Sequence, residues 1–405
     1  MIQTGRYPHT ATYVSSGNIP SRSANSIQVM KMGQALSRLI KDFNIVTTGD
    51  YRTFLAREEF DFSKWYGVDS SIPVVRLPLR LSAKYPLPKG YSHPLFLPAA
   101  MAYLLWRRPD FVYTRRSEIA RWTIRLGIPV LLESHDPVDS DSSWLIAAAA
   151  NDLLLGLVTI SPILSDTYVR FGIPERMVLS EADGVDIERF GDNLSKVAAR
   201  MKLFSEGLVP NGNPTSKIVM YAGNLDQDRR IEDLFYCAKK LPNFSFWLVG
   251  GWEQSIADRK RQVAEAQSKN IHFTGFVDNT DLPKFLQAAD VLVMHYSRKI
   301  GTVEYMSPLK MFEYMASGRA ILATDLPAIK TTLKHGKNAW LVEPDDEIAL
   351  LAGLRHLLSN DDTCDSLGAQ AKSDVTKHTW DQRASRIMGH FFSKCDGEFG
   401  KSVPV

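Results

Sequence analysis

Short apolar runs rich in β-branched residues alternate along the chain with longer stretches whose apolar positions return every three or four residues. The first period marks strands and the second marks amphipathic helices. The opening unit reads as a strand over Ala11–Ser15, a break at Ser16-Gly17-Asn18-Ile19-Pro20, and a helical stripe through Val29, Met32, Leu36, Leu39 and Phe43. Further strands are predicted at Asn44–Thr48, Val74–Leu77, Phe111–Thr114, Val130–Glu133 and Leu157–Ser161. A second series follows at Ile218–Ala222, Phe244–Val249, His272–Gly275, Val291–His295, Ala320–Thr324 and Ala339–Val342. Alternation of this kind predicts parallel α/β layering. Between the series, Gly207–Pro214 is polar and contains Gly and Pro, the composition of a linker. The expected fold is therefore α/β, with two Rossmann-like parallel-sheet domains facing across a cleft. They are expected to cover residues 1–200 and 212–379, with the boundary near 190–215. Ligands of open parallel sheets bind beyond the carboxyl ends of the strands, so chemistry is sought there.

Composition narrows the classes. A length of 405 residues with 44% hydrophobic content suffices for two cores, and a formal charge of +3 is too small for a dedicated nucleic-acid binder. Cys237, Cys364 and Cys395 lie far apart without metal-ligand spacing, which fits a reducing compartment. The first residues show no apolar core of a signal peptide. Leu95–Trp106 is too short to span a bilayer, and Trp144–Ile160 is interrupted by Asn151, Asp152 and Gly156. A cytoplasmic protein, soluble or peripheral at the inner membrane face, is expected.

The most informative segment is Ser307-Pro-Leu-Lys-Met-Phe-Glu-Tyr-Met-Ala-Ser-Gly318. Ser307 suits an N-cap, Pro308 a first helical residue and Gly318 a left-handed stop. The amides of Leu309 and Lys310 would then lack intrahelical acceptors, and such an end favours a phosphate. Glu313 shares their stripe and leans toward the same end, within reach of a hydroxyl pair. A ribose diphosphate needs that combination. The plain reading is a surface helix with a Lys310–Glu313 pair worth only a few tenths of a kcal/mol.

Other segments leave strands at glycines. Tyr221-Ala-Gly-Asn-Leu-Asp-Gln-Asp-Arg-Arg230 enters a helix, and Gly223 permits a tight turn while Arg229 or Arg230 can reach a diphosphate. A solvated arginine pair is the alternative. Val249-Gly250-Gly251 and Phe273-Thr-Gly-Phe276-Val277 end strands likewise. Asp139-Ser-Asp141 and Asp226-Gln-Asp228 have a spacing that can hold a metal-bound diphosphate, but two loop carboxylates alone do not define a cation site. No Gly-x-Gly-x-x-Gly, Gly-x-Ser-x-Gly or Walker loop is present.

In this order the segments resemble the retaining glycosyltransferases of family 4, of GT-B fold and bacterial polysaccharide type. The likeness is strongest from Ile218 to Trp380, and looser through Gly17, Glu133-Ser-His-Asp136, Ile160-Ser161 and Asp183-Gly-Val-Asp186. It implies that Glu313 holds the ribose hydroxyls, Arg229 the diphosphate, and the amides of Leu309 and Lys310 the phosphates. Phe276 and Val277 would hold the base, with Gly223 and Gly250 at the strand ends beside it. Gly17 with Asn18 would meet the diphosphate from the first domain, and His135 would sit near the transferred sugar; a strand-end histidine is the plain alternative. The resemblance implies that residues 380–405 return to the first domain and that no metal or other cofactor is required. Two departures stand out. Tyr305, with Glu304 beside it, occupies a position where the family often has a glutamate; either the loop absorbs the one-residue slip to Glu304, or backbone groups from Met306 through Ser307 and Pro308 to Leu309 replace the carboxylate. Asn224 stands where the family often has an arginine.

The implied activity is a retaining hexosyl transfer from a nucleotide diphosphate sugar, UDP-glucose or similar, to a glycan or lipid-linked acceptor in polysaccharide synthesis. Alternatives are a nucleotide-sugar epimerase of the same fold and a non-catalytic nucleotide-sugar-binding protein. Between Arg107 and Arg125 six arginines accompany Phe111, Tyr113 and Trp122. They read either as a contact with an anionic membrane surface or, more plainly, as a solvated helix face.

Overall fold

The structure is a computed structural model and describes residues 7–50, 60–69, 71–80, 94–191, 194–210, 213–226, 229–265 and 268–392. Its strands are β1 (Thr10–Asn18), β2 (Asp42–Asp50), β3 (Val74–Arg80), β4 (Phe111–Thr114), β5 (Val130–Ser134), β6 (Leu154–Thr159) and β7 (Val178–Ser180). The second series is β8 (Ile218–Ala222), β9 (Ser245–Val249), β10 (Ile271–Gly275), β11 (Val291–Met294), β12 (Ala320–Thr324) and β13 (Trp340–Val342). Helices used below are α1 (Ala24–Ser37), α2 (Phe96–Arg107), α3 (Ser117–Arg125), α4 (Lys196–Ser205), α5 (Ile231–Lys240), α6 (Leu309–Ser317) and α7 (Trp380–Phe392).

The strands form two parallel sheets, one of seven strands in the order β3-β2-β1-β4-β5-β6-β7 and one of six in the order β10-β9-β8-β11-β12-β13. Both faces of each sheet are covered, so the strands read as near-continuous apolar runs, such as Ile218–Ala222 and Ala320–Thr324, in which every residue is buried. In each sheet the order reverses direction once, between β1 and β4 and between β8 and β11. A crevice opens beyond the carboxyl ends at such a reversal, and it is the natural place for a ligand.

Three readings are corrected. The break expected after Ser15 comes later, because β1 continues to Asn18 with a register shift between Val14 and Asn18. The stripe through Leu39 and Phe43 outruns its helix: α1 ends at Ser37, and Phe43 belongs to β2. The strand Val178–Ser180 was too short to register as a period.

The chain divides earlier than 190–215. One unit holds the residues up to Asp183 together with α7, and the other spans Gly184–Thr379. Residues 184–200, assigned above to the first domain, thus belong to the second. The cause is a buried arginine. Arg200 of α4 donates from Nε to Ala288 O at 2.8 Å, from a terminal nitrogen to Pro214 O at 2.9 Å, and from the other to the Asp290 carboxylate at 2.5 Å. These bonds hold α4 and the stretch after it against the second sheet, so that stretch is no free linker; residues 211–212 of it lie outside the described residues. No helix among the described residues is long and apolar enough to cross a membrane.

Candidate nucleotide-sugar site

In the second unit, α6 begins one residue later than expected. Pro308, at φ −73° and ψ 122°, occupies the cap position, and no side chain makes a capping bond. Ser307 is therefore not the cap, and Leu309 rather than Pro308 is the first helical residue. Pro308 offers no side chain to cap the leading amides of Leu309 and Lys310, and they have no intrahelical acceptor by geometry. The helix is fixed in place by Tyr314, whose hydroxyl accepts from Ala222 N at 2.8 Å at the end of β8. Gly318 ends it in the left-handed conformation at φ 68°.

The ends of β8, β9 and β10 are laced together beside this helix. Gly223 N donates to Val249 O at 2.8 Å, and Gly250 N donates to Gly275 O at 2.8 Å. Spacing demands glycine at Gly250, where a Cβ would come within 2.6 Å of Gly223 O; at Gly223 the backbone demands it, at φ 147°, with Lys310 Nζ 2.6 Å from where a Cβ would lie. Phe276 follows exposed and Val277 half-buried.

Lys310 does not lie on a surface stripe with Glu313. Its Nζ sits 4.0 Å from the centre of the Tyr221 ring and 5.5 Å from that of Tyr296. Arg229 approaches Tyr296 as well, with Cζ 5.8 Å from the ring centre. Burial, reinforced by Arg229 and opposed by Glu313, pushes Lys310 down to about 7. Tyr296 is driven the other way, up to about 12, chiefly by burial. Behind Glu313 stands Arg189, lowered by burial while Glu313 and Asp186 support its charge. Arg229, Lys310, Glu313, Gly223 and Gly250 are thus gathered at the reversal between β8 and β11. Arg230 is not: it pairs with Asp233 at 2.8 Å, and Asp233 also meets His295 at 2.7 Å.

Asn224 donates from Nδ2 to Asp226 at 2.5 Å, and Asp226 also accepts from Ser255 Oγ at 2.9 Å. Asp226 is thereby engaged in its own loop, and Asp228 lies outside the described residues. Asp139 caps a short helix by accepting from Asp141 N at 3.1 Å and Ser142 Oγ at 2.7 Å. Glu304 is exposed, whereas Tyr305 and Met306 are half-buried in a turn whose amides donate to Thr302 O at 3.1 and 2.8 Å.

The first unit has its own polar cluster at the reversal between β1 and β4. Gly17 and Asn18 close β1, and a Cβ on Gly17 would lie 3.2 Å from Asn25 Nδ2. Arg115, just past β4, donates to Asn25 and to Gln28 Oε1, the latter at 3.0 Å. Gln28 donates to Glu133 Oε1 at 2.7 Å. Glu133 also accepts from Arg383 of α7 at 3.0 Å, from Tyr113 and, at 2.5 Å, from His135 Nε2. Burial alone would raise Glu133, yet Arg383 and His135 hold it well below the usual carboxylate range. Burial, with Arg115, lowers His135 to about 4. The imidazole is therefore neutral at pH 7. Its Nε2 must carry the proton, since the carboxylate can only accept, and Nδ1 is left as an acceptor. Asp183 is lifted by burial to about 7. Glu133, His135 and Asp183 have ligand atoms within 4.8 Å of one another. Arg383 already neutralises this donor set, and a cation there would face a fixed guanidinium.

The arginine-rich stretch is split. Arg107 pairs with Asp42, and Arg115 is drawn into the cluster just described. Arg108, Arg116 and Arg125 are exposed, and Arg125 lies 4.7 Å over the Trp122 ring. Near them Trp106 and Leu105 of α2 and Trp122 of α3 are 78%, 45% and 41% exposed.

The sequence did not reveal Tyr296 beside Lys310, Arg189, or the part played by Arg383 and Gln28. Tyr296 follows a strand at the reversal, and position after β11 was the available signal. Arg383 and Glu133 are 250 residues apart and share no local pattern.

Residues 216–360 match the family model described as "Glycosyl transferases group 1". The phosphatidyl-myo-inositol mannosyltransferase of Mycobacterium tuberculosis is 28% identical over 215 residues, 51% of this chain and 51% of the relative. The chain spans about half the length of such curated relatives. The sulfoquinovosyl transferase of Arabidopsis thaliana is 25% identical over 336 residues, 77% of this chain and 62% of the relative. Anabaena HepE in complex with UDP and glucose has a TM-score of 0.68 at 14% identity, covering 94% of this chain and 99% of that one. A glycosyltransferase from Rickettsia africae reaches 0.71 at 14% identity, covering 96% and 100%. At these identities the likeness shows the fold, that of the GT-B class with its two Rossmann-like units.

Proposed function

Starting from a second unit that carries a glycosyltransferase domain of group 1, we propose that the protein transfers a hexose from UDP-glucose or a close relative to a glycan or lipid-linked acceptor, with retention at the anomeric carbon. The observation that carries this reading is the meeting of Arg229 and the leading amides of α6 with one carboxylate, Glu313, a turn further along the helix. A guanidinium and leading amides suit a pyrophosphate, and an acid beside them suits a ribose diol. As the nucleotide leaves, negative charge grows on its terminal phosphate, and the same donors stabilise it where it develops. His135, neutral and with Nδ1 free to accept, suits a sugar hydroxyl. The acceptor hydroxyl attacks from the face the leaving group departs, and the departing phosphate takes its proton. Solved relatives hold UDP and UDP-glucose, which supports the uridine donor. In this reading no metal takes part, since the charges are supplied by side chains and amides.

Replacing Glu313 by alanine should weaken UDP binding by roughly 10-fold, the scale of a charge-assisted bond to the ribose. Calorimetry reads this directly, and equal affinity in both proteins would remove Glu313 from the site. Slow UDP-glucose hydrolysis without acceptor should vanish in the same variant; an epimer appearing instead would point to epimerase chemistry.

The acceptor is proposed to be presented at an anionic membrane surface in contact with the first unit. Support comes from the exposed Trp106, Leu105 and Trp122 beside Arg108, Arg116 and Arg125, aromatic and cationic groups that suit a lipid interface. Curated relatives named for phosphatidyl-myo-inositol act on a lipid by name. Flotation with phosphatidylglycerol vesicles should recover the wild type but not Trp106→Ser. Recovery that ignores anionic lipid would dismiss the contact.

A further inference from the structure

Two cations converge on one ring in the second unit. Lys310 Nζ is 5.5 Å and Arg229 Cζ 5.8 Å from the centre of Tyr296. Like charges brought together out of water repel, and each makes the other harder to ionise. The fold nevertheless makes room for the lysine. Gly223, at φ +147°, leaves the volume that Lys310 Nζ fills, since a Cβ there would sit 2.6 Å from the nitrogen. The side chain therefore reaches the turn that follows β8. That turn is where Asn224 stands without a charge of its own, its amide bonded to Asp226.

We propose that the Lys310 ammonium is a direct ligand of the donor pyrophosphate, the second cation of the site beside Arg229, supplying the charge that Asn224 does not. The inference rests on the nucleotide-sugar reading above and adds the side chain to the amide already assigned at that position. An anion placed between Lys310 and Arg229 converts their repulsion into attraction for both. The groups acting on Lys310 can be named. Tyr221 from β8 and Tyr296 after β11 face it with their rings, Arg229 before α5 disfavours its charge, and Glu313 on α6 favours it. This balance leaves Lys310 at about 7. A bound pyrophosphate raises it, so binding above that pH takes up a proton. Affinity then falls as pH rises through 7 toward 9, a range above the second ionisation of the terminal phosphate of UDP, at about 6.

The test is calorimetric titration of the full chain with UDP at pH 7 and pH 9, in two buffers of different ionisation enthalpy. Wild type should bind roughly 10-fold or more weakly at the higher pH and take up part of a proton near pH 7.5. Lys310→Met, similar in length and shape but uncharged, should bind roughly 10- to 100-fold more weakly at pH 7, with no slope and no proton uptake. Wild-type affinity and slope in Lys310→Met would overturn the inference while leaving the donor reading intact. Should that variant fail to fold, the wild type decides alone: UDP binding without proton uptake overturns the inference. No binding of UDP or GDP by the wild type removes the donor reading and the inference with it.

Discussion

Arg229→Met should transfer sugar about 10²–10³-fold more slowly than the wild type at saturating donor, the loss expected when one preorganised donor to a developing charge is removed. The reason lies in where Arg229 sits. It faces the Tyr296 ring at the reversal of the second sheet, near Lys310 in the first turn of α6. In the ground state the pyrophosphate shares its charge among several partners, and the loss of one weakens binding moderately. In the transition state an additional charge appears on the leaving oxygen, so the same loss falls mainly on kcat. Arg229→Lys should recover part of the rate, because a point charge replaces a fork of donors. Steady-state transfer of radiolabelled glucose from UDP-glucose, with kcat and KM separated, reads the effect. An unchanged kcat with a raised KM would show that Arg229 holds donor without assisting departure.

A second large effect is expected far from this helix. Arg383→Met should destabilise the first unit by about 3–5 kcal/mol, as removal of one member of a buried pair does. Arg383 is fully buried, and it donates to Glu133 at 3.0 Å, to Ala182 O at 2.9 Å and to Glu181 O at 3.1 Å. Without it an unpaired carboxylate and two buried carbonyls remain. The pH dependence has a definite sign. In the wild type Glu133 is held below its unfolded value, so its contribution is present at neutral pH and is lost as pH falls through the folded value. In the variant the largest opposing charge is gone, burial is countered only by His135 and Arg115, and the carboxyl rises from its wild-type value. The deficit should therefore be smaller at pH 5, where Glu133 can take up a proton, than at pH 8. Urea unfolding at both pH values measures it. A second replacement, Glu133→Gln, should recover much of the loss in a double-mutant cycle. Equal deficits at pH 5 and pH 8 would show that the ion pair is not what holds α7 to its sheet.

Much of the fold was legible because strand and helix periods are local. Runs such as Val291–Met294 or Ala320–Thr324 are too short and too apolar to be anything but buried parallel strands between helical segments. The glycines were legible for a different reason. Gly223 and Gly250 sit at strand ends in left-handed or extended-positive conformations, and only glycine allows the backbones there to close up. The reading erred where a local rule met a tertiary competitor. Ser307 is a better capping residue than Pro308, yet the helix starts at Leu309, held where Tyr314 binds the end of β8. Gly207–Pro214 has linker composition, yet Arg200 ties its end to the second sheet.

From the sequence alone came the two parallel sheets, the helix opening near Pro308 and the pairing of Glu313 with that opening, all of which depend on residues a few positions apart. Which cations meet was decided only by tertiary structure. Lys310 lies against both Tyr221 and Tyr296 because strand order brings β8 and β11 side by side. Glu133 and Arg383 likewise meet only because α7 returns to the first sheet. Charge placement depends on distance in space and on the loss of water, and a one-dimensional pattern records neither.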